Sequence, residues 1–314
     1  FFGIPDLTNS EGLHTNAVYG FLNIMFKILE EEKPDHLAVA FDLKEPTFRH
    51  KMYADYKGTR KPMPEELREQ VPLMKEVLAA MGVPILTMAG YEADDILGTI
   101  AKRCQAEGEE VSVVSGDRDL LQLADTHIKI RIPKTSRGTT EIHDYYPEDV
   151  KREYQVTPTE FIDVKALMGD TSDNIPGVPS IGEKTATNLI VAYGSIENAY
   201  AHLDEVKPPR AKKALEEHYD LAVMSKELAE ICITCPIPFE YEEAKLENIY
   251  TPEAYQYMKR LEFKSILARF DVQDMGGNSV EEHFWSVEDL SGAEQIFEKA
   301  KTAEQVGCQL ILSQ

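Results

Sequence analysis

The sequence predicts an α/β domain, a mostly parallel sheet flanked by helices, followed by an all-helical region. Three observations predict it. Short apolar runs alternate with amphipathic helical stretches over residues 1–157, the signature of a parallel sheet covered by helices. From 158 to 270 that alternation gives way to short helices broken by Gly and Pro. The 314 residues are 43% hydrophobic and 28% charged, which is ordinary for a globular chain and excludes disorder, collagen and a disulfide-stapled miniprotein.

The elements follow in order. Val18, Phe21, Leu22, Met25, Ile28 and Leu29 recur at helical spacing between Thr15 and Glu32, and Lys33-Pro34-Asp35 ends that helix. His36 to Phe41 is a continuous apolar run of the kind buried in parallel sheets, and it stops at Asp42. A helix from Pro64 carries Leu67, Val71, Met74, Leu78 and Met81 on one face and closes at Gly82. Val83 to Met88 is the next strand, Glu92 to Glu107 the next helix, and Val111 to Val114 a third strand. Lys129–Ile132 and Thr139–His143 flank a turn-rich stretch, Pro133 to Gly138, and read as a hairpin at the sheet edge. Residues 271–283, with Gly276-Gly277-Asn278, read as a linker. Residues 284–314 supply one helix and one strand, too little to close a core, so they read as the start of a truncated further domain.

The formal net charge of −22 repels a polyanion at long range, so bulk charge alone argues against nucleic acid. No apolar run is long enough to span a bilayer, and the start lacks a basic, cleavable leader, so the expectation is a cytoplasmic chain with no membrane partner. Four cysteines are too sparse for a disulfide framework. The close pair Cys232 and Cys235 lacks the further ligands zinc needs and reads as packing.

Acids stand where each strand gives way to a loop: Asp42 after the first, Glu92, Asp94 and Asp95 after the second, Asp117 and Asp119 after the third. In a parallel sheet those positions share one edge, where ligands bind. A second cluster, Gly169 to Asn174, brings Asp170 and Asp173. So many carboxylates raise one another's pKa unless cations compensate them. Oxygen-only donors select hard ions, Mg²⁺ or Mn²⁺, and the surplus of ligands suggests two of them, the arrangement that serves phosphodiester hydrolysis. Taken singly, the same acids complement a helix dipole or a salt-bridged turn; their shared location favours the functional reading.

Local charge reverses the global sign. Lys44 to Lys61 carries six basic residues against two acidic ones, interleaved with Phe48, Tyr53 and Tyr56, a pattern in which basic side chains meet phosphates while aromatic rings stack on unpaired nucleobases. Lys207 to Lys213 adds four positive charges. Gly177 to Thr185 nearly imitates a phosphate-binding P-loop, but Glu183 stands where the lysine belongs and no strand precedes it. Residues 175–186 better fit two short helices joined by a glycine hairpin that holds a DNA phosphate on backbone N–H groups, with Lys184 adding charge.

These residues resemble a known family: the 5′-nuclease domain at the N-terminus of bacterial DNA polymerase I, related to flap endonucleases. The likeness rests on Phe41-Asp42, Phe48 to Lys51, Tyr56 to Arg60, Tyr91 to Asp95, Ser115 to Asp119 and Gly169 to Ala186, and covers most of residues 1–270. It implies a PIN-like core over 1–157 with a helical arch near 44–64, then a helix-hairpin-helix type DNA-binding region over 158–270 with its hairpin at 175–186. It implies hydrolysis of 5′ flaps and 5′ ends, RNA primers included, in replication and repair. By motif, Asp42, Glu92, Asp94 and Asp95 serve one metal group, and Asp117, Asp119, Asp170 and Asp173 the other. Lys57, Arg60 and Arg49 are the implied catalytic cations. Tyr56, Lys51, Gly177, Val178, Ile181, Gly182, Lys184 and Thr185 are the implied DNA contacts, with K⁺ at the hairpin.

The tail from Phe284 resembles the start of the 3′-exonuclease-like domain of polymerase I. The implied protein is a bacterial, nucleoid-associated monomer continuous with polymerase domains. Family members begin with an apolar strand ending in a ligand aspartate, and this sequence starts downstream of it, so the expectation is a fragment. The competing expectation is therefore a crippled fragment that binds branched DNA without cutting it. A PIN-type ribonuclease explains the carboxylates but leaves the hairpin and the polymerase-like tail unexplained.

Overall fold

The computed structural model describes residues 3–136, 139–271, 294, 297–298 and 301. The chain divides into two units, Phe1–Arg269 and Phe270–Gln314. Nearly all of the second unit, with the expected linker 271–283 and the expected further domain 284–314, lies outside the described residues. Among the described residues no helix is long and apolar enough to cross a membrane.

The first unit opens with α1, Asn16–Glu32, which buries Val18, Leu22, Met25 and Phe26 and stops where Lys33 turns left-handed and returns its N–H to the Leu29 carbonyl. β1, Val39–Ala40, pairs in parallel with β2, Ile85–Leu86. Both strands are shorter than their apolar runs predict. The start of the first run has another partner: Leu37 N–H donates to the Ala244 carbonyl and His36 bridges Lys245, so those backbone groups are satisfied outside the sheet.

Between these strands lie α2, Phe48–Met52, and α3, Glu65–Ala80. The region predicted as a helical arch holds only the five residues of α2, followed by turns and extended chain. α4, Ala93–Ala106, leads to β3, Val111–Val114, and a 3₁₀ turn, Arg118–Leu123. β4, Ile128–Ser136, pairs in parallel with β3 and in antiparallel with β5, Thr139–Tyr145, a hairpin as predicted but with Pro133 to Ser136, expected in its turn, paired within β4. Two of the three strand pairings are thus parallel, the longest ladder, β4–β5, is antiparallel, and the strands are divided between a two-stranded and a three-stranded sheet.

The helical part comprises α5, Pro147–Tyr154; α6, Pro158–Met168; α7, Glu183–Tyr193; α8, Ile196–Ala201; α9, Pro209–Glu217; α10, Tyr219–Ala229; α11, Pro252–Arg260; and α12, Lys264–Leu267. The change at 157/158 is a change of architecture and not a gap between bodies. One buried cluster joins Leu120, Leu121, Ile128 and Ile130 to Leu167, Ile190 and Ile196. Two predicted short helices within 175–186 are replaced by a loop, 169–182, and the start of α7. Gly169 and Gly177 cross so closely there, both at positive φ, that a Cβ on Gly177 would lie 2.3 Å from the Gly169 nitrogen. That contact needs glycine on both sides.

Candidate functional site

The acids after β1, β2 and β3 do converge, at the N-terminus of α4. Asp42 Oδ1 accepts from Ala93 N–H at 2.8 Å, which places the β1 acid on the first turn of that helix. Asp94 sits in the same turn. Burial, then Asp117, Asp42 and Glu92, push its carboxyl up to about 7, with Lys57 the opposing cation. Four acids from three strand ends therefore act on one another across a small volume.

The 170–173 loop closes the other side. Lys57 Nζ donates to Glu92 Oε1 at 2.7 Å and lies 3.8 Å from Asp173 Oδ2. Arg60 pairs with Asp173. The Tyr56 hydroxyl reaches both Glu92 and Asp173 at 3.1 Å, and burial together with those two carboxylates drives its pKa far above the usual phenol value. The main chain is tied as well: Lys57 N–H donates to the Asp173 carbonyl and the Asn174 side chain to the Asp55 carbonyl. The segment after α2 is thus fastened onto the loop. Asp173, grouped by motif with Asp117, Asp119 and Asp170, shares Lys57 with Glu92.

A second cation centre went unforeseen. Lys165, in the last turn of α6, reaches Asp119 Oδ1 at 2.8 Å and also pairs with Asp170. Burial raises the Asp119 carboxyl against the pull of Lys165. Burial works the same way on Asp170, but hydrogen bonds from Lys165 and Ser172 overcome it and hold that carboxyl at about 2. The signal was present in the sequence, a lysine one turn ahead of Gly169-Asp170, but nothing short of the α6 packing showed which way it faced.

Several of the expected site residues are engaged within the protein. Asp95 is fully buried, with both oxygens taken: Oδ1 and Oδ2 each accept from Arg49 at 2.8 Å, and they also accept from the amides of Cys232 and Glu92 at 2.8 and 2.9 Å. With four hydrogen bonds accepted on its two oxygens, Asp95 acts here as a brace between Arg49, Cys232 and Glu92. Arg49, 3% exposed, also donates to the Leu228 and Glu230 carbonyls, and its Nη1 stands 3.6 Å from Glu92 Oε2, so this cation, expected to be catalytic, lies beneath the acids and is engaged internally. Tyr56, also 3% exposed, packs with Ile175, Leu228 and Ala229 and offers no face to a base.

In the hairpin, Gly177 donates its amide to Ser225 Oγ, and Val178 and Ile181 belong to the core, so these three shape the loop from inside. Gly182 and Lys184 are exposed and Thr185 half-buried at the start of α7, and Lys51 is exposed beside the site. In the other basic stretch, Arg210 donates to Ser180 Oγ at 3.1 Å, which joins α9 to the hairpin loop. Among the described residues no three of the acids stand in a ready-made metal-binding group; Lys57, Arg60 and Lys165 pair with Glu92, Asp173, Asp119 and Asp170.

Comparison with known proteins agrees with this architecture. A family model described as "5'-3' exonuclease, N-terminal resolvase-like domain" matches residues 1–155, and one described as "5'-3' exonuclease, C-terminal SAM fold" matches 156–252. The chain is 46% identical over 271 residues to DNA polymerase I of Bacillus caldotenax, covering 86% of this chain and 31% of that protein. It is 44% identical over 292 residues to DNA polymerase I of Bacillus subtilis (strain 168), covering 93% and 32%. The chain thus spans about a third of the length of these curated relatives.

Among solved structures, T5 5'-exonuclease with bound zinc superposes with a TM-score of 0.60 at 21% identity, over 81% of this chain and 90% of that one. The catalytic core of Rad2 in complex with DNA gives 0.51 at 14%, over 85% and 87%. At such identities the likeness concerns the fold. With both family models laid end to end over a resolvase-like α/β part and a helical SAM-fold part, the chain belongs to the 5′-3′ exonuclease family.

Proposed function

We propose that the chain is the structure-specific 5′→3′ exonuclease and flap endonuclease part of a DNA polymerase I, hydrolysing phosphodiesters with two divalent cations, Mg²⁺ or Mn²⁺, during primer removal and repair. The observation that carries this reading is the crowding of Asp42, Glu92, Asp94 and Asp117 at the head of α4, strong enough to hold Asp94 partly protonated near neutral pH. Such a set fits a hard cation: its donors are all carboxylate oxygens and its charge is undercompensated. The zinc bound by T5 5'-exonuclease and the DNA bound by Rad2 support the same reading.

Asp42, Glu92, Asp94 and Asp117 would hold one ion, and Asp119 and Asp170, with Asp173 beside them, the other. When bound, the ions supply an activated water and neutralise the charge that builds on the phosphate. Lys57 and Arg60, which here neutralise Glu92 and Asp173, would turn to the scissile phosphate once cations take over that task. Lys51, Lys184 and Arg210 offer exposed charge to the flanking backbone.

The test is cleavage of a 5′-labelled flap DNA with Mg²⁺ against EDTA. Cation-dependent release of the flap is expected. Tight flap binding without cleavage in Mg²⁺ or Mn²⁺ would establish the binding-only alternative, and preference for single-stranded RNA over flap DNA the ribonuclease.

A further inference from the structure

We infer that Cys232 and Cys235 form an oxidisable dithiol whose closure to a disulfide disturbs the brace beneath the acidic site. The consequence for catalysis rests on the proposed nuclease reading, whereas the dithiol itself does not.

The geometry is set by Thr99 of α4, which is 1% exposed. Its hydroxyl donates to the Cys232 carbonyl at 3.2 Å and accepts from the Cys235 amide at 2.9 Å. One oxygen thus gathers the first and fourth residues of the segment Cys232-Ile233-Thr234-Cys235. The two residues between them are pushed into solvent, Ile233 being 44% exposed, and the chain bends at 233. Anchored on one oxygen, the Cys232 carbonyl and the Cys235 amide lie at most about 6 Å apart, close to the roughly 4.4–6.8 Å Cα separation of a disulfide. Both thiols are free, Cys235 fully buried and Cys232 half-buried with Sγ beside the exposed Thr234. One sulfur is therefore open to an oxidant and the other sheltered as its resolving partner.

The balanced step uses a peroxide as oxidant. Cys232 sulfur attacks the peroxide O–O bond to give a sulfenic acid and water. Cys235 sulfur then attacks Cys232 sulfur and displaces the hydroxyl, which leaves with the second thiol proton as water. Two electrons pass from the thiols to the peroxide. A thiol reductant reverses the bond by exchange.

Closure draws the turn together at the point where it supports the site. Cys232 N–H donates to Asp95 Oδ1, Asp95 braces Arg49 and the Glu92 amide, and Arg49 returns to the carbonyls of Leu228 and Glu230 just ahead of the turn. A shift at Cys232 therefore reaches the residue that places Glu92.

The experiment treats the full chain with hydrogen peroxide, blocks remaining thiols and maps peptides by mass spectrometry. A peptide holding both cysteines unblocked, lighter by the two thiol hydrogens and restored by dithiothreitol, is expected, with none in Cys232→Ser. Overoxidation of Cys232 beside a free Cys235, or crosslinks only between chains, would overturn the dithiol. Amide exchange supplies a readout independent of cleavage: faster exchange at Cys232 and Glu92 after oxidation, reversed by reductant, is expected, and unchanged exchange would overturn the coupling. Flap cleavage should fall on oxidation in the parent and hold in Cys232→Ser. An absence of cleavage even in reduced protein would sink the nuclease reading and leave the dithiol standing.

Discussion

Arg49 shows how burial decides what a charged side chain is for. A guanidinium in a basic, aromatic stretch reads as a phosphate contact, yet here it joins a fully buried carboxylate. Removing one partner strands the other charge, so Arg49→Met should cost about 3–5 kcal/mol in urea unfolding; a change below about 1 kcal/mol would mean that the Asp95 brace is not load-sharing. Lys57 is the contrasting case, a half-buried cation held between Glu92 and Asp173. Lys57→Ala should lose flap cleavage far more than flap binding, and equal rates at saturating DNA would remove it from the chemistry. Asp94 gives the pH dependence. Its carboxyl is raised from 3.8 to about 7, so in EDTA its contribution to stability is complete below 3.8 and is lost as pH rises through about 7. Relative to Asp94→Asn, the parent's urea midpoint should fall over that window, and Mg²⁺ should restore it. A pH-independent difference would contradict the crowding.

At the scale of elements, the site is the meeting of one helix start with one loop. α4 draws acids to its N-terminus, where its dipole favours them and where β1 and β2 both end. Opposite it, Asp170 and Asp173 are carried by a loop whose path depends on Gly169 and Gly177 passing at near backbone contact. Gly177→Ala places a Cβ against that backbone at a φ of 63°. It should destabilise the protein by about 2 kcal/mol or more. Cleavage should fall with it, because the loop can relieve the clash only by moving its acids. Unchanged melting and unchanged cleavage together would show that the crossing is not needed.

Across the whole first unit, α/β and helical parts share one core, with α6 seated on the 3₁₀ turn that follows β3 and carrying Lys165 to Asp119. Limited proteolysis of the native chain should therefore spare the 155–158 junction, and residues 1–269 should unfold in a single denaturant transition. Early cleavage at that junction, or two separated transitions within this unit, would restore the picture of independent domains. Against the net charge of −22, the proposed polyanionic substrate would meet local positive charge at the exposed Lys51, Lys184 and Arg210.

Much of this was legible in the residues themselves. Alternating apolar runs and amphipathic stretches reflect burial on one face, a local property, and so they located α1, α3, α4, β3 and the β4–β5 hairpin. Asp42, Glu92, Asp94 and Asp117 come just after those apolar runs, which is why they could be expected at one edge. The sequence by itself determined those elements and the carboxylates they deliver. Only tertiary packing decided which charges are spent internally: that Asp95 is consumed by Arg49, that Tyr56 is buried between Glu92 and Asp173, that Lys165 arrives from α6 and that the hairpin's Val178 and Ile181 turn inward. The reason is physical. A side chain's type fixes what it can bond to, but whether its bonds are made to protein or left for a ligand depends on neighbours remote in sequence.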